Sequence, residues 1–334
     1  MEVTIKEIAA DARVSVSTVS RVMNGSKTVS DELKRRVMAS IEKYDYRPSA
    51  AARSLVTKST SLVAIMVADL GNPVMTRQLK RINEMCMKNN KVVVVSDYEF
   101  DNDKALLLLD KMLEHNLDGL IFQGVQLTEA ILEKLRKFPC PVVLGCQGVM
   151  EEPHPFTTVS IDSYQAEWDV AEFLMSEGHR RIAYIGAGNE DYTNGYLRLK
   201  GVREALENAG LALPESYVFQ GEFTTETGMR GMQQIYENNI ELPTAVIAGS
   251  DMVAIGIIRY LKAQGLRVPE DISVFGFDDS VSEFYDPSLS TVRSLDEGQI
   301  FYDALFGERA KEKTWFYLPY QLVRRGSTRR INPE

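Results

Sequence analysis

Between Ser15 and Arg21 the chain carries small or hydrogen-bonding side chains at closely spaced positions: Ser15, Val16, Ser17, Thr18, Ser20 and Arg21. That chemistry suits the floor of a DNA major groove. An arginine offers two parallel N–H donors to guanine, and a serine hydroxyl serves several base edges. Asn24, Thr28 and Ser30 follow closely enough to meet phosphate oxygens, contacts that position a protein without reading sequence. Thr4 and Ser15 stand where helices would start, and both count among the expected DNA contacts. The alternative is a small three-helix bundle with no nucleic-acid role. The hydroxyl-rich early face of the second helix argues against it.

Few other residues offer chemistry. His115, His154 and His179 are scattered without metal-ligand spacing, and Cys86, Cys140 and Cys146 lack a C-x-x-C pair. Reduced, packed thiols in a cytoplasmic protein are expected, with no metal and no cofactor. Gly186-Ala187-Gly188 begins like a dinucleotide fingerprint, but Asp191 stands at its third glycine position, so a loop opening toward a cleft is the better reading. Neither a G-x-S-x-G elbow nor a P-loop sequence occurs, and Asp278-Asp279 has no obvious nucleophile or metal partner. These patterns give no support to an enzyme.

Charge is divided unevenly. The net charge is −9, yet residues 1–58 hold 11 Lys/Arg against 7 Asp/Glu, while the other 276 hold 27 against 40. A head at +4 on a body at −13 concentrates attraction for phosphates at one end. No uncharged apolar run reaches 18 residues and the N-terminus has no apolar h-region, so neither a membrane span nor a secretory signal is expected.

The elements that must position the DNA-reading residues follow from capping and periodicity. Thr4-x-x-Glu7 is a capping box, and Ile5, Ile8, Ala9 and Ala12 then share one helical face. Ser15 can cap a second helix with Thr18, Val19, Val22 and Met23, ending at Asn24-Gly25. Ser30 can cap a third, with Asp31 and Glu32 in its first turn and Leu33, Val37, Ile41 and Tyr44 facing inward. The result is a helix-turn-helix module. Pro48 then stops the third helix. Ser49 can cap a short Ala-rich segment running to Leu55, too brief to be stable alone. Beyond Thr60, eight apolar runs (62–69, 91–97, 118–124, 141–146, 181–186, 217–222, 244–251 and 271–279) read as buried parallel strands. They alternate with helical stretches at 75–89, 102–116, 164–177, 194–209, 225–238 and 251–264. Two groups of four predict an α/β fold of two doubly wound subdomains, with a ligand cleft at the carboxyl ends of the strands.

The runs VTIKEIAADARVSVSTVSRVMNG and VSDELKRRVMASIEKYDYRPSAAARSL resemble the headpiece of the LacI/GalR family of bacterial repressors, across about 55 positions. The likeness continues through GHRRIAYIG, LRLKGVREAL, the stretch from AVIAGSD to FGFDD, PSLSTVR and LPYQLVRRGST, and so covers essentially the whole chain. It implies a helix-turn-helix headpiece at 1–48 and a hinge helix and linker at 49–59. A core like a periplasmic binding protein follows at 60–334, the chain crossing three times between an N-subdomain (60–161 and 292–318) and a C-subdomain (162–291 and 319–334). It also implies a homodimer on double-stranded operator DNA. In the family the hinge folds only when two copies pair in the minor groove, where a leucine, here Leu55, wedges between base pairs. Ala52 and its neighbours allow that close approach. Ser49 stands where the family usually has Asn.

In the core, the resemblance implies that Arg198 of the R-x-x-G motif and Asp278 at the end of FGFD bind a small-molecule effector. Ser250-Asp251 stands where Asn-Asp is usual, and Phe223 at a position where an aromatic commonly covers the ligand. Gln147 falls near a strand-end contact of the N-subdomain, while Val74 and Met75 replace two aromatics often seen after Asn72-Pro73. An arginine and an aspartate at strand ends favour a hydroxyl-rich ligand, and a sugar is the first expectation. A transcription repressor controlled by that effector is the leading reading; a solute-binding protein is its rival in another class.

Overall fold

A computed structural model of the chain describes residues 3–23, 29–46, 59–124, 127–149, 156–311 and 314–332. Two compact units divide it, Met1–Thr60 and Ser61–Glu334.

The first unit holds α1 (Ile5–Asp11), α2 (Val16–Met23) and α3 (Asp31–Lys43). The capping box at Thr4 forms as its spacing requires: the Glu7 amide donates to Thr4 Oγ1 at 3.4 Å and the Thr4 amide to the Glu7 carboxylate at 2.7 Å. Ile8, Ala9, Ala12, Val19 and Val37 make a small core. So little apolar surface needs polar help. Arg36 on α3 donates to the carbonyls of Ala12 and Arg13, at 2.6 and 3.1 Å, which satisfies the end of α1 and fixes the turn. Tyr44 departs from its expected inward place: it is 40% exposed, and its hydroxyl reaches Asp11 at 3.2 Å.

The second unit contains two six-stranded sheets, whose strands lie side by side in the order of those beginning at Trp315, Thr157, Val142, Gly119, Leu62 and Val92, and at Tyr320, Ser290, Ser273, Ala245, Ile182 and Val218. Strands β1 (Leu62–Val67), β2 (Val92–Asp97), β3 (Gly119–Gln123), β4 (Val142–Gly145) and β5 (Thr157–Ser160) alternate with α4 (Pro73–Lys88), α5 (Asn102–Leu113) and α6 (Glu129–Leu135). In the other half, α7 (Ser163–Ser176), α8 (Leu197–Asn208), α9 (Thr225–Asn238) and α10 (Asp251–Ala263) accompany β6 (Ile182–Ala187), β7 (Val218–Gly221), β8 (Ala245–Ala248) and β9 (Ser273–Phe277). The chain then adds β10 (Ser290–Ser294) to the second sheet, α11 (Glu297–Phe306) and β11 (Trp315–Tyr317) to the first half, and β12 (Tyr320–Val323) to the second sheet. Each half has its own apolar core.

Three expectations need correction. Among the described residues twelve strands form rather than eight, because β5, β10, β11 and β12 are too short or too rich in Ser, Thr and Tyr to show an apolar run. The eight expected strands pair in parallel, while the added β12 pairs antiparallel with β10. The boundary expected at 291/292 falls inside β10, whose Thr291 and Val292 pair with Gly276 and Phe277 of β9. The chain therefore leaves the second half at Leu295–Asp296; its other crossings lie at Ile161–Asp162 and Leu318–Pro319. The helix expected from residue 194 begins at Leu197, after a π-helical turn over Tyr192–Tyr196. Gly195 makes that turn possible: a Cβ there would lie 1.9 Å from the Gly188 carbonyl oxygen.

Candidate functional site

In the headpiece, Ser15 caps α2. Its Oγ accepts from the Thr18 amide at 3.2 Å and lies 2.8 and 2.9 Å from the hydroxyls of Ser17 and Thr18. Val19 is fully buried, which turns Val16 (41% exposed), Ser17 and Arg21 outward, with Thr18 and Ser20 half-buried beside them. The exposed face of α2 is therefore the one whose residue types match base edges. Ser30 is exposed and caps α3, accepting from the Leu33 amide at 3.5 Å. Thr4 is exposed too, its hydroxyl donating to Glu7 at 3.0 Å. Asn24, Thr28, Ser49, Ala52 and Leu55 lie outside the described residues.

In the core, the two halves meet around Arg198 and Asp278. Arg198 is 5% exposed; its guanidinium donates to the Gly249 carbonyl at 2.5 Å and to Asn194 Oδ1 at 3.2 Å. It also lies 3.6 Å from the centre of the Phe277 ring and 5.7 Å from that of Phe223. Gly201, in the same motif, lets α8 approach α7: a Cβ there would sit 2.3 Å from the Tyr164 carbonyl oxygen. Asp278 ends β9 with φ +104°, a backbone few L-residues adopt, and its amide donates to the Val292 carbonyl at 2.9 Å. Burial pushes its carboxyl up to about 7 against the pull of Arg198, with Asp251 adding to the rise. Arg198, Asp278 and Phe223 are thus brought together.

Gln147 belongs to the opposite wall. It is buried and forms a hydrogen bond with the Asp191 carboxylate. Its neighbour Cys146 has φ +66°, and its carbonyl accepts from Asn194 Nδ2 at 3.0 Å. Asp191 is the N-cap of the π turn: its Oδ1 accepts from the Asn194 amide at 2.8 Å. Burial raises its pKa, offset by that amide, by Arg198 and by the side chains of Asn194 and Gln147. Val74 is half-buried at the head of α4, where its amide is held by Asn72 Oδ1 at 2.9 Å.

Three expected contacts are redirected. Ser250 is buried and caps α10, accepting from the Val253 amide at 3.3 Å. Asp251 is fully buried, and its carboxylate is occupied within the protein. It accepts from Thr291 Oγ1 (2.7 Å), Ser282 Oγ (2.8 Å) and the Ser280 amide (2.7 Å), which anchors the loop after Asp278. Met75 is 8% exposed within the apolar core of the first half, so it supports the wall from behind.

Arg77 on α4 was missed. Its guanidinium donates across the cleft to the carbonyls of Asp278 (2.5 Å) and Asp279 (3.0 Å), and also holds Ser294 (3.1 Å) and Glu297 (3.1 Å). In sequence it is one more basic residue on an amphipathic helix. The one hint is its place on the turn after Asn72-Pro73, whose capping puts the head of α4 at a strand's carboxyl end. Glu167 on α7 was also missed; it is 1% exposed, and burial lifts its pKa to about 8. The thiols of Cys86 and Cys140 are pushed up to about 11 and that of Cys146 to about 12, all by burial, which suits packed rather than reactive cysteines. Among the described residues no group of three or more His, Cys, Asp or Glu could hold a metal ion, and no helix is long and apolar enough to cross a membrane.

Three short helices with a polar exposed face in one unit, and two α/β halves with charged facing walls in the other, are the architecture of a DNA-binding transcription regulator with a periplasmic-binding-protein-like domain. Comparison with known proteins agrees. Residues 4–49 match the bacterial regulatory proteins of the lacI family, and residues 171–328 the periplasmic binding protein-like domain. The chain is 34% identical to catabolite control protein A of Priestia megaterium over 293 residues, 87% of each protein. It is 32% identical to the HTH-type transcriptional repressor CytR of Escherichia coli, covering 86% of this chain and 84% of that one. Among solved structures, the lac repressor dimer bound to operator and the anti-inducer ONPF matches 98% of this chain and 99% of its own, with a TM-score of 0.84 at 25% identity. The complex of the transcriptional regulator CelR with cellobiose matches 98% of this chain and all of its own, with a TM-score of 0.73 at 27% identity. The chain belongs to the LacI/GalR family of transcription regulators, and it is not an enzyme.

Proposed function

We propose that the protein is a homodimeric repressor whose affinity for operator DNA is set by a hydroxyl-rich small molecule, a sugar, bound between the two halves of the core. One observation carries this reading. Arg198 and Asp278 converge on one wall of the cleft, while Arg77 from the other wall holds the Asp278 backbone. A group wedged there has differential affinity for the settings of the two halves, and only that difference can shift an equilibrium. Phe223 covers Arg198, Gln147 and Val74 line the facing wall, and Arg21 with Ser17 and Thr18 reads base edges. Leu55 and the hinge residues near it serve as the minor-groove wedge. Coupling of about 1–3 kcal/mol would change operator affinity by about 5- to 150-fold. The cellobiose bound by CelR supports a sugar, and the lac repressor dimer supports two copies on one operator.

The test pairs calorimetric titration of cellobiose and other neutral sugars with operator binding by the parent and by Arg198→Ala. Loss of sugar binding and of its effect on DNA, with ligand-independent DNA affinity retained, is the expected outcome. Sugar binding and a full operator shift in Arg198→Ala would show that the effector binds elsewhere.

A further inference from the structure

Glu167 lies in the second turn of α7, directly after the crossing at Ile161–Asp162. Only five residues separate Ser176 from Ile182, so α7 runs back antiparallel to β6 and its first turns stand at the cleft end of the sheet. The side chain is 1% exposed, and among the described residues neither carboxyl oxygen has a hydrogen-bond partner. Two neighbours share that condition, the Tyr184 hydroxyl on β6 and Nε of Arg198 on α8. The charged groups that reach Glu167 are Arg198 and Asp278, and Tyr184 feels Glu167 and Arg198 in turn. These are the groups that converge on the effector wall.

A buried carboxyl with both oxygens open is a poor packing choice. Leucine or methionine would fill the space with no polar group to satisfy, whereas an unpaired buried acid costs several kcal/mol or gives up its charge. Buried polar atoms are nearly always paired, and a cluster of unpaired ones at a binding wall points to a missing partner.

We propose that Glu167 is a specificity-determining residue of the cleft, its two carboxyl oxygens accepting hydrogen bonds from adjacent hydroxyl groups of the effector. The inference rests on the cleft reading above and adds which group reads the hydroxyls and which charge is refused. A neutral polyhydroxy ligand supplies two O–H donors to a carboxylate. As they bind, the carboxyl ionises, its proton passes to solvent, and Arg198 offsets the new charge. A ligand with an anionic group at that end has no O–H pair to donate to the carboxyl and must share the Arg198 charge with Glu167 and Asp278, so it binds more weakly.

Calorimetry of the full chain at pH 7 tests this with cellobiose and glucose against glucuronate and glucose 6-phosphate. Each titration is repeated in buffers of different ionisation enthalpy to count protons. With a pKa of about 8 in the free protein, a neutral sugar that ionises Glu167 releases about 0.9 proton from that group. Glu167→Gln, which keeps the shape, should bind the sugar about tenfold more weakly and lose that part of the release. The anionic counterparts should bind the parent more weakly than the neutral sugars, a comparison that needs no variant to fold. A sugar bound equally well by Glu167→Gln with an unchanged proton count overturns the inference alone. So does an anionic sugar bound more tightly than its neutral counterpart. If no sugar binds the parent, or if binding survives Arg198→Ala, the cleft reading falls and this inference with it.

Discussion

Ser17 and Arg21 stand exposed on α2, whereas Arg198 and Glu167, 5% and 1% exposed, are enclosed in the core. The headpiece keeps these polar groups in water at no desolvation cost, and its small core has only to hold α2 in place. The core takes the opposite course. It buries acids and a guanidinium together, so Asp278 and Glu167 rise to about 7 and 8. An exposed reader can lose one side chain without disturbing its neighbours, while an enclosed one is tied to its surroundings. Arg198 holds the Gly249 carbonyl, and Arg77 spans the cleft to the carbonyls of Asp278 and Asp279.

That contrast can be broken in order of expected size. Asp251→Ala leaves Thr291, Ser282 and the Ser280 amide facing an empty site. The core should lose about 3 kcal/mol or more in urea denaturation. A loss under about 1 kcal/mol would mean that the loop after Asp278 is held by other contacts. Arg21→Ala should cost about 1–3 kcal/mol in specific operator binding and far less on random DNA, measured at one salt concentration. Equal losses on both would make Arg21 a phosphate contact. Arg77→Lys keeps a charge beside Glu297 but gives up a fork that reaches two carbonyls at once. The effector midpoint should rise roughly fivefold, the scale of about one hydrogen bond, while the free protein keeps its DNA affinity.

A separate test of the enclosed site is a slope. A carboxyl whose pKa is raised on folding binds more protons folded than unfolded, so Glu167 loses stability for the ligand-free protein as pH climbs from its ordinary 4.5 to about 8. Glu167→Gln removes that loss. Its urea midpoint should exceed the parent's at pH 9, by a margin that shrinks toward pH 4. Parallel pH profiles would mean that the acid is not buried in solution.

The headpiece could be read almost completely from its sequence because its determinants are local. The capping box at Thr4, the caps at Ser15 and Ser30 and the apolar positions Ile8, Val19 and Val37 lie within a turn or two of the residues they organise. Inspection of the sequence alone also indicated the two-half architecture, since eight strands have continuous apolar runs, and the family resemblance pointed to Arg198, Asp278 and Phe223, which the fold brings close together. Tertiary structure decided the rest. Strands β5, β10, β11 and β12 exist because a neighbouring strand completes their hydrogen bonds, and side-chain pattern does not record that. Asp251 and Asp278 are both aspartates beside strand ends. One is spent anchoring a loop and the other lies within reach of Arg198, because Thr291, Ser280 and Ser282, 29–40 residues away, happen to fold onto the first. Arg77 meets Asp278 across 201 residues, and Glu167 is buried only once α7 closes on the wall that holds Arg198. Local capping and periodicity are properties of short segments, whereas burial and pairing of charge arise only when distant segments share one interior.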